Sequence, residues 1–259
     1  MKKIWITALD KDQENVQKLM VNLKNYGLGV DGHFWVDDLT KMAWDGALEP
    51  LSAKETALWI ITGAAAQFAV PTIRQGLSML ALALQHRRGV GFPIFLLPTA
   101  GDLDGASLPT LLKGADILPA KSATMGPKIV AMANKPVPAV SVGYRLNIHS
   151  IHGIGIWYEI GPPAGGFEWP GAMFGVHGTD IDFHGVGPAD GIPERTVLEY
   201  ALKGMKIQLG ADEFTAWAAQ NRLDGGSSYY VRVQGTPDKL IFGPFAEGDD
   251  AEVHVVNLS

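Results

Sequence analysis

The stretch from His177 to His184, reading His-Gly-Thr-Asp-Ile-Asp-Phe-His, carries the densest set of reactive side chains in the sequence. As a strand it places Asp180, Asp182 and His184 on one face, because strand side chains alternate. Carboxylates with an imidazole suit a divalent metal, and His149 and His152 add further imidazoles. Ile181 and Phe183 make the other face apolar, which is the ordinary pattern of a half-exposed strand. The expectation is therefore a solvated strand and no metal, with Asp180, Asp182 and His184 kept as weak metal candidates.

Other constellations are poorer in chemistry. Gly153-Ile154-Gly155 and the run from Gly161 to Gly166 open no recognisable helix, and no Gly-Lys-Ser/Thr follows, so they read as turns between strands and not as a phosphate cradle. Ser227-Ser228 follows Gly225-Gly226 without the strand–elbow–helix context of a nucleophilic serine. Trp5 and Trp59 fall in apolar runs and read as core. Trp35 and Trp44 fall near strand ends, where an indole could stack on a base, although core packing is the commoner role.

The 259 residues are 47% hydrophobic and 19% charged, enough to bury a core and exclude wholesale disorder. The absence of cysteine excludes disulfides, zinc–thiolate sites and cysteine nucleophiles. A net charge of −6 argues against a nucleic-acid binder, which needs a basic face. No apolar run reaches the ~18 residues of a membrane span, and the six-residue run Ile4 to Leu9 is too short for a signal peptide. The expected location is cytoplasmic, with no membrane partner.

Charge divides the sequence. Residues 1–140 hold 14 Lys/Arg against 12 Asp/Glu, a net of +2, and residues 141–259 hold 7 against 15, a net of −8. Glycine and proline become frequent after Gly143, and the expected domains are 1–138 and 139–259. The first alternates strand and helix: strands at 3–9, 29–36, 57–62, 92–97 and 116–119, and helices after Asp10, at 42–48, from Pro71 to about Arg88, at 108–113 and at 127–134. Apolar strands alternating with helices imply a doubly wound, flavodoxin-like parallel sheet of five strands. Such sheets bind ligands beyond the carboxyl ends of their strands, here Leu9-Asp10, Val36-Asp37-Asp38, Thr62-Gly63 and Pro98-Thr99. Asp10, with Gln13 three residues on, has capping-box spacing. The second half reads as mostly antiparallel β, with strands at 142–149, 155–160, 179–183, 197–207, 229–233, 240–242 and 252–257. One helix is expected at 211–222, with Phe214, Trp217 and Ala218 on a shared face.

Residues 1–135 resemble a Toll/interleukin-1 receptor (TIR) domain. The likeness rests on the lysine-led strand and acidic turn from Lys3 to Asp12, on Tyr26-Gly27 before a strand ending Phe34-Trp35-Val36-Asp37-Asp38, on the tryptophan-bearing segment Ala43 to Leu48, on Ile60-Ile61-Thr62-Gly63, and on Phe92 to Leu97. Catalytic members of that family cleave the nicotinamide–ribose bond of NAD with a glutamate on the helix after the third strand, an anion placed where positive charge develops at the sugar carbon. The matching positions hold Arg74 and Gln75, and no glutamate lies between Thr56 and Tyr158. The family's serine after the first strand is also missing. The resemblance so departed from implies a module working through self-association or protein partners, within a defence complex. No cofactor is required, and a retained pocket at Leu9, Asp10, Trp35, Asp37, Trp44, Arg74 and Gln75 could take NAD or a related nucleotide. The rival readings are an NAD glycohydrolase whose acid is Asp37 or comes from a partner chain, and a metal-dependent enzyme at 177–184. A receiver domain fits less well: Asp10 and Asp12 supply its acidic pair, but the third strand ends without the aspartate that would accept phosphate.

Overall fold

The computed structural model describes residues 1–246 and 252–259. The chain divides into two compact units, Met1–Val140 and Ser141–Ser259.

The first unit runs β1 (Lys3–Ala8), α1 (Gln13–Asn25), β2 (Gly29–Phe34), α2 (Leu48–Ser52), β3 (Thr56–Gly63), α3 (Pro71–Arg88), β4 (Ile94–Pro98), β5 (Asp116–Ile117) and α4 (Met125–Ala133). Its five strands form one sheet in the order β2-β1-β3-β4-β5, every pair parallel. The connection from β1 to β2 runs one way across the sheet and that from β3 to β4 the other. Right-handed crossovers therefore put α1 and α3 on opposite faces. Ile4, Ile6, Leu58, Ile60, Phe95 and Leu97 line the face covered by Leu23 of α1 and by Met125, Ile129 and Ala133 of α4. On α3, Ile73 and every residue from Gln75 to Leu84 are buried, so this helix is apolar almost all round. The segments expected at 42–48 and 108–113 are mostly single 3-10 turns, at Ala43–Ala47 and Thr110–Leu112.

The cap of α1 is Asp12, whose Oδ1 accepts from Asn15 N–H at 3.0 Å, and not Asp10. Asp10 instead accepts the N–H of Ala64 at 3.0 Å, joining the turn after β1 to the one after β3.

The second unit is antiparallel throughout. β6 (Arg145–Ile151), β7 (Gly155–Gly161), β9 (Ile181–Pro188) and β12 (Ser227–Val233) form a sheet in the order β6-β7-β12-β9. β8 (Ala172–His177), β10 (Leu202–Leu209), β11 (Asp212–Ala219), β13 (Lys239–Pro244) and β14 (His254–Asn257) form the other, in the order β10-β11-β8-β13-β14. The two sheets face each other through Tyr158 against Phe174, ring centroids 5.2 Å apart, and His184 against Trp217 at 4.8 Å.

The helix expected at 211–222 is instead β11. Phe214, Ala216 and Ala218 are its buried face, a period of two that the spacing 214, 217, 218 disguised. The left-handed Gly210 (φ +60°) turns β10 tightly back into β11, and hairpin pairing outweighs a weak helical stripe. The strand expected at 197–207 starts at Leu202, with Val197 making only an isolated bridge to Val186. β8 was hidden by its glycine: a Cβ on Gly175 would lie 2.7 Å from Ile241 Cγ1, so only glycine lets the neighbouring strand's side chain cross it.

Gly76 of α3 is a close approach of the same kind, since a Cβ there would sit 2.6 Å from Trp35 Cζ2. Gly76→Ala should destabilise the first unit by about 1–3 kcal/mol through overpacking. Gly114→Ala, where an added Cβ meets nothing within 4 Å, is the control. Urea unfolding followed by tryptophan fluorescence separates the two.

Candidate functional site

In the first unit the strand order reverses between β1 and β3, so their crossover helices leave on opposite faces and a crevice opens past the carboxyl ends. A cleft of about 470 Å³ lies there. β1 contributes Ala8, β3 contributes Thr62 and Gly63, and Thr99 and Ala100 follow β4. Asp10, Asp12, Lys18 and Lys121 bring charge to its lining. Thr62 is nearly fully buried and donates its hydroxyl to Leu97 O at 3.0 Å, so it braces β3 against β4.

The residues expected to share a pocket are dispersed. Of the seven, Asp10 lines the cleft. Leu9 is buried, and its carbonyl accepts from Gln67 Nε2 at 3.3 Å. Trp35 and Trp44 are core residues, 6% and 1% exposed, with no ring face open to a base. Asp37 is exposed and accepts from the Thr72 hydroxyl at 2.6 Å. Arg74 donates to the carbonyls of Phe68 and Ser107, at 3.4 and 2.6 Å, and so ties two loops to α3. Gln75 is buried. Asp38 is held down to about 2 by hydrogen bonds from the Thr40 hydroxyl and from Lys41, a local turn lock at a half-buried residue.

In the second unit Asp180, Asp182 and His184 do not share a face. Asp180 precedes β9, and a bulge opposite Arg232 and Val233 breaks the alternation. Asp182 pairs with Arg232 at 2.7 Å. His184 is 2% exposed and turns inward, its Nδ1 2.6 Å from Tyr229 Oη. Among the described residues no group of three or more His, Cys, Asp or Glu side chains is placed to hold a metal ion. Burial, with a smaller contribution from the positive Lys203, pushes the His184 imidazole down to about 4.

Sequence reasoning missed Glu159, a carboxylate 1% exposed on β7. Its signal was present: one acid inside the apolar run Ile156-Trp157-Tyr158-Glu159-Ile160. His149 Nε2 lies 2.7 Å from Oε2, and the Ser228 hydroxyl and Asp190 N–H donate to Oε1 at 2.7 and 2.9 Å. Burial would raise this carboxyl, but those donors override it and hold it at about 2. Arg145 extends the network by donating to Ser228 Oγ and to the carbonyls of Pro162, Gly225 and Ser227. Ser228 and His149 both address the carboxylate, and no hydrogen bond joins them. A nucleophilic triad needs serine bonded to histidine, so this arrangement works as a brace that pins the loops at 162–165, 189–190 and 224–228.

No family model matches this chain, and no curated protein matches it. Among the described residues no helix is long and apolar enough to cross a membrane.

Glu159→Ala should cost about 3–5 kcal/mol, because it removes the shared acceptor of three partners at a buried site, and Glu159→Gln about 1–3 kcal/mol by setting an amide N–H against donors. Chemical unfolding of the two variants checks the order. For acid stability the signs agree at both groups. His184 titrates lower folded than unfolded, so its contribution is complete above about 6.5 and is lost as pH falls towards about 4. Glu159 contributes fully above about 4.5 and loses its share as pH falls towards about 2. His184→Asn keeps an acceptor for Tyr229 and should flatten the melting temperature between pH 6.5 and 4 while leaving the steeper loss below.

Proposed function

We propose that this chain is a non-hydrolytic assembly module, TIR-like in its first unit, that acts through protein contacts, self-association among them, as one component of a defence complex. The observation that carries this reading is an exposed apolar rim on the second unit. Phe167 is 95% exposed and Tyr200 79%. Glu199 accepts from Gln220 N–H at 2.9 Å, and Trp169 bridges to Leu223, so the segments carrying both aromatics flank one stretch of chain at 220–223. Val197, Leu198 and Leu202 are exposed on the same segment as Tyr200. Exposed apolar groups gathered in this way mark interaction surfaces.

Tyr200 adds a second support. It holds φ +46°, a left-handed conformation that costs a bulky residue roughly 1–2 kcal/mol, and its ring gains little packing in return. Strain of this kind accumulates where function requires it. The opposite net charges of the two halves favour the first unit of one copy meeting the second unit of another. On α3, Arg74 and Gln75 stand where the resemblance implies a glutamate, which supports a module that does not cleave NAD. The rival glycohydrolase reading draws on Asp37, exposed and steadied by Thr72.

Two measurements test the proposal. Sedimentation of the full chain at low salt should show concentration-dependent association that weakens as salt is raised. Tyr200→Gly should weaken it while thermal stability holds or rises, since glycine relieves the left-handed strain. A chain that stays monomeric at every concentration argues against self-association. Incubation with NAD should release no nicotinamide, and turnover abolished by Asp37→Ala would replace the assembly reading with the enzymatic one.

A further inference from the structure

The cleft of the first unit has a construction of its own, separate from the assembly reading. In α1 the apolar stripe is Val16, Leu19, Met20 and Leu23, yet only Leu23 is fully buried. Val16 and Leu19 instead line the cleft. Leu19 and Met20 rest on the core of the sheet, as a helix of this pattern normally does, and the half-buried Val16 and Leu19 turn their remaining apolar edge to the cleft. Met125 of α4, 3% exposed and part of that same core, also reaches the cleft lining. Beside these side chains the lining comes from small residues at strand ends: Ala8, Thr62, Gly63, Ala100 and Ala120. Small residues beside the aliphatic edges of Val16, Leu19 and Met125 give the cleft an apolar floor that an aromatic ring could cover, and about 470 Å³ falls in the size range of small-molecule sites.

Charge is distributed around this floor. Beside the start of α1 are Asp10 and Asp12, which also line the cleft. Both are anchored, Asp10 Oδ2 by Ala64 N–H and Asp12 by the first turn of α1. The other carboxyl oxygen of Asp10 has no hydrogen bond among the described residues. Four residues beyond β5, just before α4, comes Lys121, exposed and without an ion pair among the described residues. Lys18 of α1 also lines the cleft, but its ammonium is paired with Glu14 at 2.5 Å, which leaves the Asp10 carboxylate as the open acceptor and Lys121 as the unpaired ammonium among the described residues.

We propose that the cleft between α1 and α4 binds a planar ring that carries both a hydrogen-bond donor and an anionic group, the ring lying against Val16, Leu19 and Met125, the donor on Asp10 and the anion on Lys121. Two kinds of small molecule have this chemistry: a nucleoside monophosphate, with ribose hydroxyls and a phosphate, and an aromatic amino acid, with an ammonium and a carboxylate.

Isothermal titration of the full chain with adenosine monophosphate, adenosine and tryptophan tests it. Either charged probe should bind, and adenosine, which lacks the anion, should bind about tenfold or more weakly than its monophosphate, the worth of one charge-assisted contact. Lys121→Glu, a surface change, should lower affinity for the charged probe by at least that factor and leave adenosine unaffected. Ala120→Leu, which fills the cleft, should abolish binding of all three. Binding of the monophosphate alone, or of tryptophan alone, supports the site and identifies the source. Failure of both charged probes, or affinity unchanged by Lys121→Glu, overturns it. Either result leaves the sedimentation and nicotinamide tests of the assembly reading untouched.

Discussion

β1 has a hydrogen-bonded neighbour on each side, β2 and β3, and the rest of the first unit follows from that. A central parallel strand is buried on both faces, so it must be largely apolar; from Ile4 to Ala8 every residue is buried, and its one polar side chain, Thr7, accepts from Trp59 Nε1 at 2.8 Å. Because the chain leaves β1 in one direction and returns to extend the sheet in the other, the helices part on opposite faces and the carboxyl ends of β1 and β3 are left uncovered. The link from Asp10 to Ala64 N–H fixes those two ends relative to each other, and the cleft is the space that remains.

The second unit solves a different problem. Its two sheets share an apolar interior, but one also carries a polar network on its outward side. Glu159 sits there among partners from three segments of chain, His149, Asp190 and Ser228, and a buried carboxylate is tolerable only when its lone pairs are satisfied. Gly185 and Gly187 on β9 make room beside it, since a Cβ on either would collide with Thr196 or Pro193 within about 2.6 Å. The 189–197 segment can therefore lie across the sheet and deliver Asp190 N–H to the carboxylate. Packing and charge satisfaction act together: glycines admit the segment, and the segment shields the charge.

How far the sequence could be read varies with the range of the interactions involved. β1, β3 and β4 were legible because each is a nearly continuous apolar run, β2 and β5 carry polar residues and were read from their places between helical segments, and the parallel arrangement followed from the alternation with helices. The β character of the second half was legible from its glycine and proline punctuation. β11 was misread because Phe214, Trp217 and Ala218 satisfy a helical spacing as well as Phe214, Ala216 and Ala218 satisfy a strand, and only a paired neighbour decides between them. Asp182 and His184 were placed on one face by strict alternation, which a bulge interrupts, and no local signal announces a bulge.

Residue order alone determined the two-part organisation of charge, the class of each half and the lack of an acid at Arg74 and Gln75, because these are properties of composition and of short periodicities. Tertiary structure decided which side chains meet. It sank Trp35 and Trp44 into the core, gave Asp10 a partner 54 residues away in Ala64, and gathered Glu159, His149, Ser228 and Arg145 into one network. Contacts of that kind depend on strand order and register, which arise only when distant segments pack, and the sequence carries no local trace of them.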